Sequence, residues 1–336
     1  MDAKALICDE QQRFTIEAVV LPDADARHLV VRTFYSGVSI GTEFALIRNK
    51  ISWGPYPLCT GYQGVGVVEH AGAEVQGFSA GDIVYYRDNR QIAFADGRAV
   101  SAVSGTHCSH AVIEPGATHG VARLPEGVRH DCASLFVMPA VGLYGVDMAN
   151  PRMGEAVVVY GVGPIGLGVV AACAHRGCVV MAVDIAEERL DVAGRLGADH
   201  VVNGARDDVA AAVERVRSGG ADVVFEATGL PSCIDEAIAL CRPLGKFVWQ
   251  GNYGAEPVSM HFLPPHGKRL SMFFPCDDGL APCRRAVLRN MASGALRWEE
   301  TITHRVEFED APEFFDAVNH GDVQGVISPV IRWSAG

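Results

Sequence analysis

From residue 156 onward the chain settles into one rhythm, in which short apolar runs alternate with helical patterns. AVVVYG (156–161) is a continuous apolar run ending in glycine, the pattern of a strand buried on both faces. A helical pattern covers Pro164 to His175 and stops at Gly177. VVMAVD (179–184), the helix EERLDVAGRLG (187–197), HVVN (200–203), an Ala-rich helix from Asp207 to Val216 and ADVVFEAT (221–228) continue the alternation. CIDEAIALCRPLG (233–245) reads as a further helix, followed by the strands KFVWQG (246–251) and RLSMFF (269–274). Strands that alternate with helices across short links assemble in parallel, so this stretch predicts an α/β domain with a doubly wound parallel six-stranded sheet.

The residues before it behave differently. HLVVRTFY (28–35), GVGVVEHAG (64–72), DIVYYR (82–87) and HAVIEP (110–115) are short strands cut by Gly, Pro and Asp, which predicts a compact β-rich domain. After the alternating unit come a helix over 282–294, the strand-like THRVEF (303–308), a helix near Ala311 to Asn319 and a closing apolar GVISPVIRW. That tail lies outside the alternation and is expected to return to the first domain. The expected division is 1–148, a β-rich domain; 149–278, the alternating domain; and 279–336, the returning tail.

Gly161-Val162-Gly163-Pro164-Ile165-Gly166 sits where a predicted strand gives way to a predicted helix. In that context the three glycines have separate tasks: a tight turn, close approach of backbone to a pyrophosphate, and close helix–strand packing. The helix N-terminus adds free N–H groups and the positive end of its dipole. Asp184 ends the second strand, 18 residues past Gly166, where a carboxylate can accept from both ribose hydroxyls and would repel a 2′-phosphate. These residues predict a dinucleotide cofactor, NAD rather than NADP. Arg189 counts slightly against that preference, because an arginine nearby can hold a phosphate. Thr228 and Gly251, at the ends of two later strands, complete the expected cofactor contacts.

Charge and apolar patterning exclude other classes. The chain of 336 residues carries a net charge of −12 and no basic run, which argues against a nucleic-acid surface. No signal-peptide pattern opens the sequence, and the most apolar window (160–174) is too short and glycine-rich to span a bilayer. A soluble, cytoplasmic protein with no membrane or nucleic-acid partner is expected. The ten cysteines form no C-x-x-C pair and are expected mostly as buried small apolar residues.

With these residues in place, the whole chain resembles the medium-chain dehydrogenase/reductase superfamily. The resemblance rests on GTEF (41–44), GYQGVGVVEHAG (61–72), FSAGDIVYY (78–86), the glycine fingerprint and DIAEERLDVAGRLGADHVV (184–202). It implies a GroES-like catalytic domain, a Rossmann cofactor domain, an active site between them, a small-molecule substrate and a homodimer or homotetramer. The better-known members bind catalytic zinc through a cysteine, a His-Glu pair and a further Glu or Cys. Here the cysteine position falls on Ile40, or on Ser39 with a one-residue shift; the His-Glu pair falls on Tyr62-Gln63; the last position falls near Met138. Ile, Tyr, Gln and Met do not supply the thiolate, imidazole and carboxylate donors that zinc prefers. The segment 87–110, which should hold the four cysteines of the structural zinc lobe, contains only Cys108. No metal is therefore expected. GVSIGTE further resembles the branch that contains bacteriochlorophyllide hydroxyethyl dehydrogenase.

Without zinc, hydrogen-bond donors and a general base must handle the hydroxyl proton. Tyr62 is the leading candidate, as a phenol that can donate to a carbonyl or, ionised, take a proton; the alternative is that it fills the volume left by the metal. Thr42 matches the family's proton-relaying hydroxyl and Glu43 its outer carboxylate, while His107 matches a position that lines the substrate pocket. Gln63 can hydrogen-bond substrate or ribose, and Trp53 lies on an expected pocket rim with Ser39, Ile40 and Met138. The expected activity is NAD(H)-dependent, zinc-independent interconversion of a secondary alcohol (a polyol, a cyclitol or a ring-bearing hydroxyethyl group) and its ketone. Two alternatives stand beside it: an NADPH-dependent quinone or enoyl C=C reductase, and a protein that binds NAD without turnover.

Overall fold

The computed structural model describes residues 1–89, 91–116 and 120–335. The chain divides into two compact units. The first comprises Met1–Phe136, Met291–Ser293 and Ile302–Gly336, and the second Val137–Asn290 and Gly294–Thr301.

In the first unit the described residues form two sheets. Asp2–Cys8, Phe14–Val20, Ile92–Phe94, Ala99–Ala102 and Leu58–Cys59 close into a small barrel. Along Asp2–Cys8, Ala5 and Ile7 enter one apolar cluster with Val19, Ile92 and Cys108, while Leu6 and Cys8 enter another with Phe44, Phe315 and Trp333. That split follows from the period of two along a strand. The second sheet runs Val121–Arg123, Ile83–Tyr86, Gly64–Ala71, Leu29–Gly37, Ser328–Arg332 and Ile302–Glu307, with His110–Ile113 also paired to Leu29–Gly37. Val330, Ile331 and Arg332 pair antiparallel with Gly37, Ser36 and Tyr35, so a strand from the end of the chain lies inside the sheet of the first unit.

The second unit holds a wholly parallel sheet in the order His200–Asn203, Val179–Asp184, Ala156–Tyr160, Ala221–Glu226, Cys241–Trp249, Ser271–Phe273. By position in the chain that is 3-2-1-4-5-6, with the order reversing between Ala156–Tyr160 and Ala221–Glu226. Ligands of doubly wound sheets bind outside the carboxyl ends of strands at such a switch point, and the glycine fingerprint follows directly from one of the two strands there.

Two stretches differ from the sequence expectation. The helix read over 233–245 spans only Ile234–Ala239, and the next strand already begins at Cys241. Pro243 lacks an N–H and Leu244 has φ 59°, so residues 242–245 bulge from the ladder between the pairs Ala221–Cys241 and Val223–Lys246. The second is Val137–Ala149, a helix that opens the second unit and carries Pro139, Gly142 and Gly145. Such residues are poor helix formers. What holds this helix is backbone approach: a Cβ on Gly142 would lie 2.7 Å from Val169 N, and one on Gly168 would lie 2.7 Å from Pro139 Cα. This contact ties it to Pro164–His175, the helix that starts at the fingerprint, and both helices lie in the second unit. Among the described residues no helix is long and apolar enough to cross a membrane.

Gly142→Ala should therefore lower stability by about 1–3 kcal/mol through overpacking. Gly194→Ala, on a helix where a Cβ would meet nothing within 4 Å, should raise it by about 0.5–1 kcal/mol. Urea unfolding of the two variants beside the parent measures both.

Candidate active site

In the first unit the short helix Thr42–Ile47 and the turn before Gly64–Ala71 bring together residues far apart in sequence. Gly61 makes this possible. It adopts φ 86°, and a Cβ there would lie 2.6 Å from Thr106 Oγ1 and 2.9 Å from His107 Cγ. Only glycine fits that left-handed turn against the imidazole, and the turn sets Tyr62. Gly64 and Gly66 answer a different need. Their missing Cβ atoms leave room for the Tyr86 ring and for Arg32 O, at 2.7 and 2.2 Å.

Glu43 lies at the centre of the cluster and is wholly buried. Its Oε1 accepts from Ser39 N–H at 2.7 Å, and its Oε2 is 2.8 Å from His107 Nε2. His107 is also wholly buried, with Nδ1 2.8 Å from Ser36 Oγ. Trp333 Nε1 donates to the same Ser36 Oγ at 2.8 Å. Both ring nitrogens of His107 are thus engaged by protein, which leaves neither for a substrate proton.

Tyr62 lies nearer the surface of this cluster, 8% exposed, beside the half-buried Thr42. Burial pushes its phenol up to about 12. Hydrogen bonds from Ser39 and Thr42 and the Arg87 charge oppose that rise, while the Glu43 carboxylate adds to it. Arg87 donates through Nε to Tyr62 O at 2.9 Å and places its guanidinium 5.2 Å from the centre of the Tyr62 ring. Arg87 has no counterpart among the sequence candidates: it follows the strand Ile83–Tyr86, and only the fold turns it toward Tyr62.

Tyr62, Thr42, Glu43, His107 and Ser39 are therefore one cluster. Gln63 is buried beside it, its N–H donating to Thr106 Oγ1 at 3.2 Å and its carbonyl accepting from Gly37 N–H at 3.1 Å. Ile40 packs into the apolar cluster of Phe44, Phe315 and Trp333. Trp53 is 61% exposed, with no hydrogen bond or ring contact to the cluster among the described residues. Met138 is buried on Val137–Ala149, in the second unit.

In the second unit the fingerprint has the geometry that its sequence requires. Gly161 has φ 93°, and a Cβ there would meet Thr228 N at 2.8 Å. A Cβ on Gly166 would lie 2.0 Å from Gly161 O, so helix and strand pack with nothing between them. At Gly163 a Cβ would meet nothing within 4 Å. That open position caps a twelve-residue helix with no side-chain hydrogen bond, and Pro164 stands at its first turn. Free N–H groups at a helix N-terminus beside open space suit the phosphates of a dinucleotide. Ile165 is half-buried on the first turn.

Asp184 is buried at the end of its strand. Oδ1 accepts from Ile185 N–H and Ala186 N–H at 2.8 and 3.1 Å, and Oδ2 accepts from Val162 N–H at 2.8 Å. The carboxylate thus also fastens the glycine loop. Arg189 Nη1 stands 3.8 Å from Oδ2 and is drawn to Asp184 itself. Glu226, another buried carboxylate, accepts from Thr228 N–H and Oγ1 and from the Tyr253 hydroxyl. Gly251 packs against the turn at Gly229, where a Cβ would lie 2.5 Å from Gly229 N. Glu226 went unread in the sequence because one of its partners, Tyr253, is 27 residues away and meets it only through the fold, though Thr228 is just two residues on.

Residues 164–290 match the family model described as zinc-binding dehydrogenase. Probable D-xylulose reductase A of Arthroderma otae is 28% identical over 326 residues, which cover 88% of each chain. Erythritol/L-threitol dehydrogenase of Mycolicibacterium smegmatis is 32% identical over 182 residues, 53% of this chain and 49% of that protein. The structure of an alcohol dehydrogenase zinc-binding domain protein from Burkholderia ambifaria superposes with TM-score 0.86 over the whole of both chains, at 18% identity. Residues 164–290 thus resemble the zinc-binding dehydrogenases, and most of the chain is similar to a polyol-type reductase. The fold is that of the medium-chain alcohol dehydrogenases, with Rossmann and GroES-like domains.

The family name implies a metal, and the donor set does not fit one. Among the described residues no three His, Cys, Asp or Glu side chains converge to hold an ion. The positions that the resemblance matches to the family's ligands hold Ile40 or Ser39, Tyr62, Gln63 and Met138, none of them a donor that zinc selects. A pyridine nucleotide does fit, on Gly161–Gly166 with Asp184 and Thr228 behind it.

Gly166→Ala should weaken NADH binding by about tenfold or more, since the methyl group would force helix from strand. Quenching and enhancement of NADH fluorescence on titration reads that change.

Proposed function

We propose that this protein is a zinc-independent, NAD(H)-dependent dehydrogenase that interconverts a secondary alcohol and its ketone, with polyols as the first substrate class. The observation that carries the reading is the buried Tyr62 phenol, with the Arg87 guanidinium 5.2 Å from its ring and Arg87 Nε on its carbonyl, standing where the family would place a metal ligand. The curated relatives named above, one a xylulose reductase and the other an erythritol/threitol dehydrogenase, support the polyol class. A site lined by three hydroxyls suits such a substrate. The GVSIGTE motif keeps a ring-bearing hydroxyethyl substrate in view.

The nicotinamide would supply and take the hydride. Everything else falls to side chains. In reduction, the hydride adds to the carbonyl carbon and the carbonyl oxygen gains negative charge. Tyr62 donates its hydroxyl proton to that oxygen, yielding the alcohol. The Arg87 guanidinium, over the ring, stabilises the phenolate left behind. Thr42, half-buried, then passes a proton from solvent to Tyr62 and restores it. In oxidation the same steps run backward. A phenol at about 12 stays protonated through the neutral range, so the site is set for donation.

Asp184 supports NAD over NADP. Three backbone N–H groups hold it as an acceptor, and a 2′-phosphate beside it would meet an ionised carboxylate. Asp184→Asn keeps an acceptor for Val162 and should narrow the NADH-over-NADPH preference by roughly tenfold, about the worth of one charged hydrogen bond. A wild-type preference for NADPH would favour the C=C reductase reading instead.

Tyr62→Phe tests the central step. Steady-state ketone reduction with NADH should show kcat lower by roughly 10²–10⁴-fold with KM little changed, because general acid catalysis is worth about that much. Unchanged turnover would reduce Tyr62 to a filler of volume.

A further inference from the structure

We propose that Ser36 and Trp333 act as positioning residues that lock the tautomer of His107, and that this lock keeps Glu43 a full negative charge facing Tyr62. The consequence for turnover rests on reading Tyr62 as the proton donor; the lock itself does not.

Each hydrogen in this chain of bonds has one place to go. An indole N–H can only donate, and Trp333 Nε1 donates to Ser36 Oγ at 2.8 Å. A serine hydroxyl has one hydrogen and two lone pairs. With one lone pair taken by Trp333, the remaining partner of Ser36 Oγ among the described residues is His107 Nδ1, at 2.8 Å. Ser36 is wholly buried, so its hydrogen has to be placed inside the protein. It goes to Nδ1. That nitrogen is then the bare one, and Nε2 carries the hydrogen that it donates to Glu43 Oε2 at 2.8 Å. A neutral imidazole facing a carboxylate leaves the carboxylate ionised. Were His107 an imidazolium, both nitrogens would donate, the Ser36 hydrogen would lose its acceptor, and the Glu43–His107 pair would be neutral overall.

The neighbours agree with this assignment. The groups that face His107 are Glu43, the edge of the Phe315 ring at 5.6 Å and Cys59, whose thiol donates to His107 O at 3.7 Å. Burial holds the Cys59 thiol well above its ordinary value, so it adds no charge. The Glu43 carboxylate raises the Tyr62 phenol and the Arg87 charge lowers it, so the two charges oppose each other at that proton. Glu43 keeps the proton on until a substrate oxygen asks for it, and Arg87 steadies the phenolate once it has gone. Trp333 belongs to the last segment of the chain, directly after the strand Ser328–Arg332, and reaches this charge only through Ser36 and His107.

Long-range ¹H–¹⁵N correlation of the histidine rings, assigned with His107→Gln as reference, reads the lock without any turnover. Wild-type protein should show His107 as the neutral Nε2–H tautomer. Ser36→Ala should lose that signature, and Ser36→Thr, which restores the hydroxyl, should recover it. Trp333→Phe, which keeps the packing and removes the donor, should let the ring exchange tautomers. In ketone reduction Ser36→Ala should cut kcat about tenfold, as loss of an outer hydrogen-bond partner of an active-site imidazole does, with KM retained, and Ser36→Thr should restore it. An imidazolium or an Nδ1–H tautomer in the wild type, or a Ser36→Ala ring spectrum identical to the parent, would overturn the proposal. If the ring signature is as expected while Tyr62→Phe turns over normally, the lock stands and the reading of Tyr62 fails.

Discussion

A carboxylate buried to zero exposure needs hydrogen-bond donors for its oxygens, and Glu43 is such a group. Its two oxygens are spent on Ser39 N–H and on His107. Much of the first unit serves those two bonds. Gly61 takes a left-handed turn because a side chain there would strike His107. The terminal strand enters the sheet beside Ser36, and Trp333 follows it to reach the Ser36 hydroxyl. Phe315, from the helix Ala311–His320, closes the far side of the imidazole. Tyr62 stands at the outer edge of this arrangement, 8% exposed, and the Glu43 carboxylate raises its phenol.

The second unit relies on the same device in another form. Asp184 and Glu226 are buried carboxylates at the ends of neighbouring regions of the sheet, and each is filled by backbone or hydroxyl donors from the loops that surround the glycine turn. Helix packing supplies the rest. Gly142, Gly166 and Gly168 each allow backbone to lie against backbone, and so fix the start of the helix whose N–H groups face the open position at Gly163. The parallel sheet gives the loops their common edge.

What the sequence disclosed and what it hid have one physical cause. The glycine fingerprint, Asp184 and the alternation were legible because each depends on neighbours within a few residues: a strand, a turn, a helix. The cluster around Tyr62 was half legible, since Ser39, Thr42, Glu43 and Tyr62 sit in two short motifs. The links that bind it were not, because Ser36, His107 and Trp333 meet across strands with no periodic signal, and Arg87 is turned inward only by the sheet. His107 read as a pocket residue, and in the structure both of its nitrogens are held by protein. The helix Val137–Ala149 was hidden for a related reason. Its residues disfavour a helix, and what stabilises it is contact with another one. CRPLG looked helical until Pro243 and Leu244 were placed in a bulge.

The proposal that a phenol, two hydroxyls and a guanidinium take the place of a metal makes a definite claim about chemistry. The most direct measurement is elemental analysis of the purified protein for zinc, made together with NADH-dependent polyol–ketone turnover before and after exhaustive chelation. Zinc well below one atom per chain, with turnover unchanged by the chelator, is the result this account predicts. One zinc per chain, whose removal abolishes turnover and whose return restores it, would contradict it.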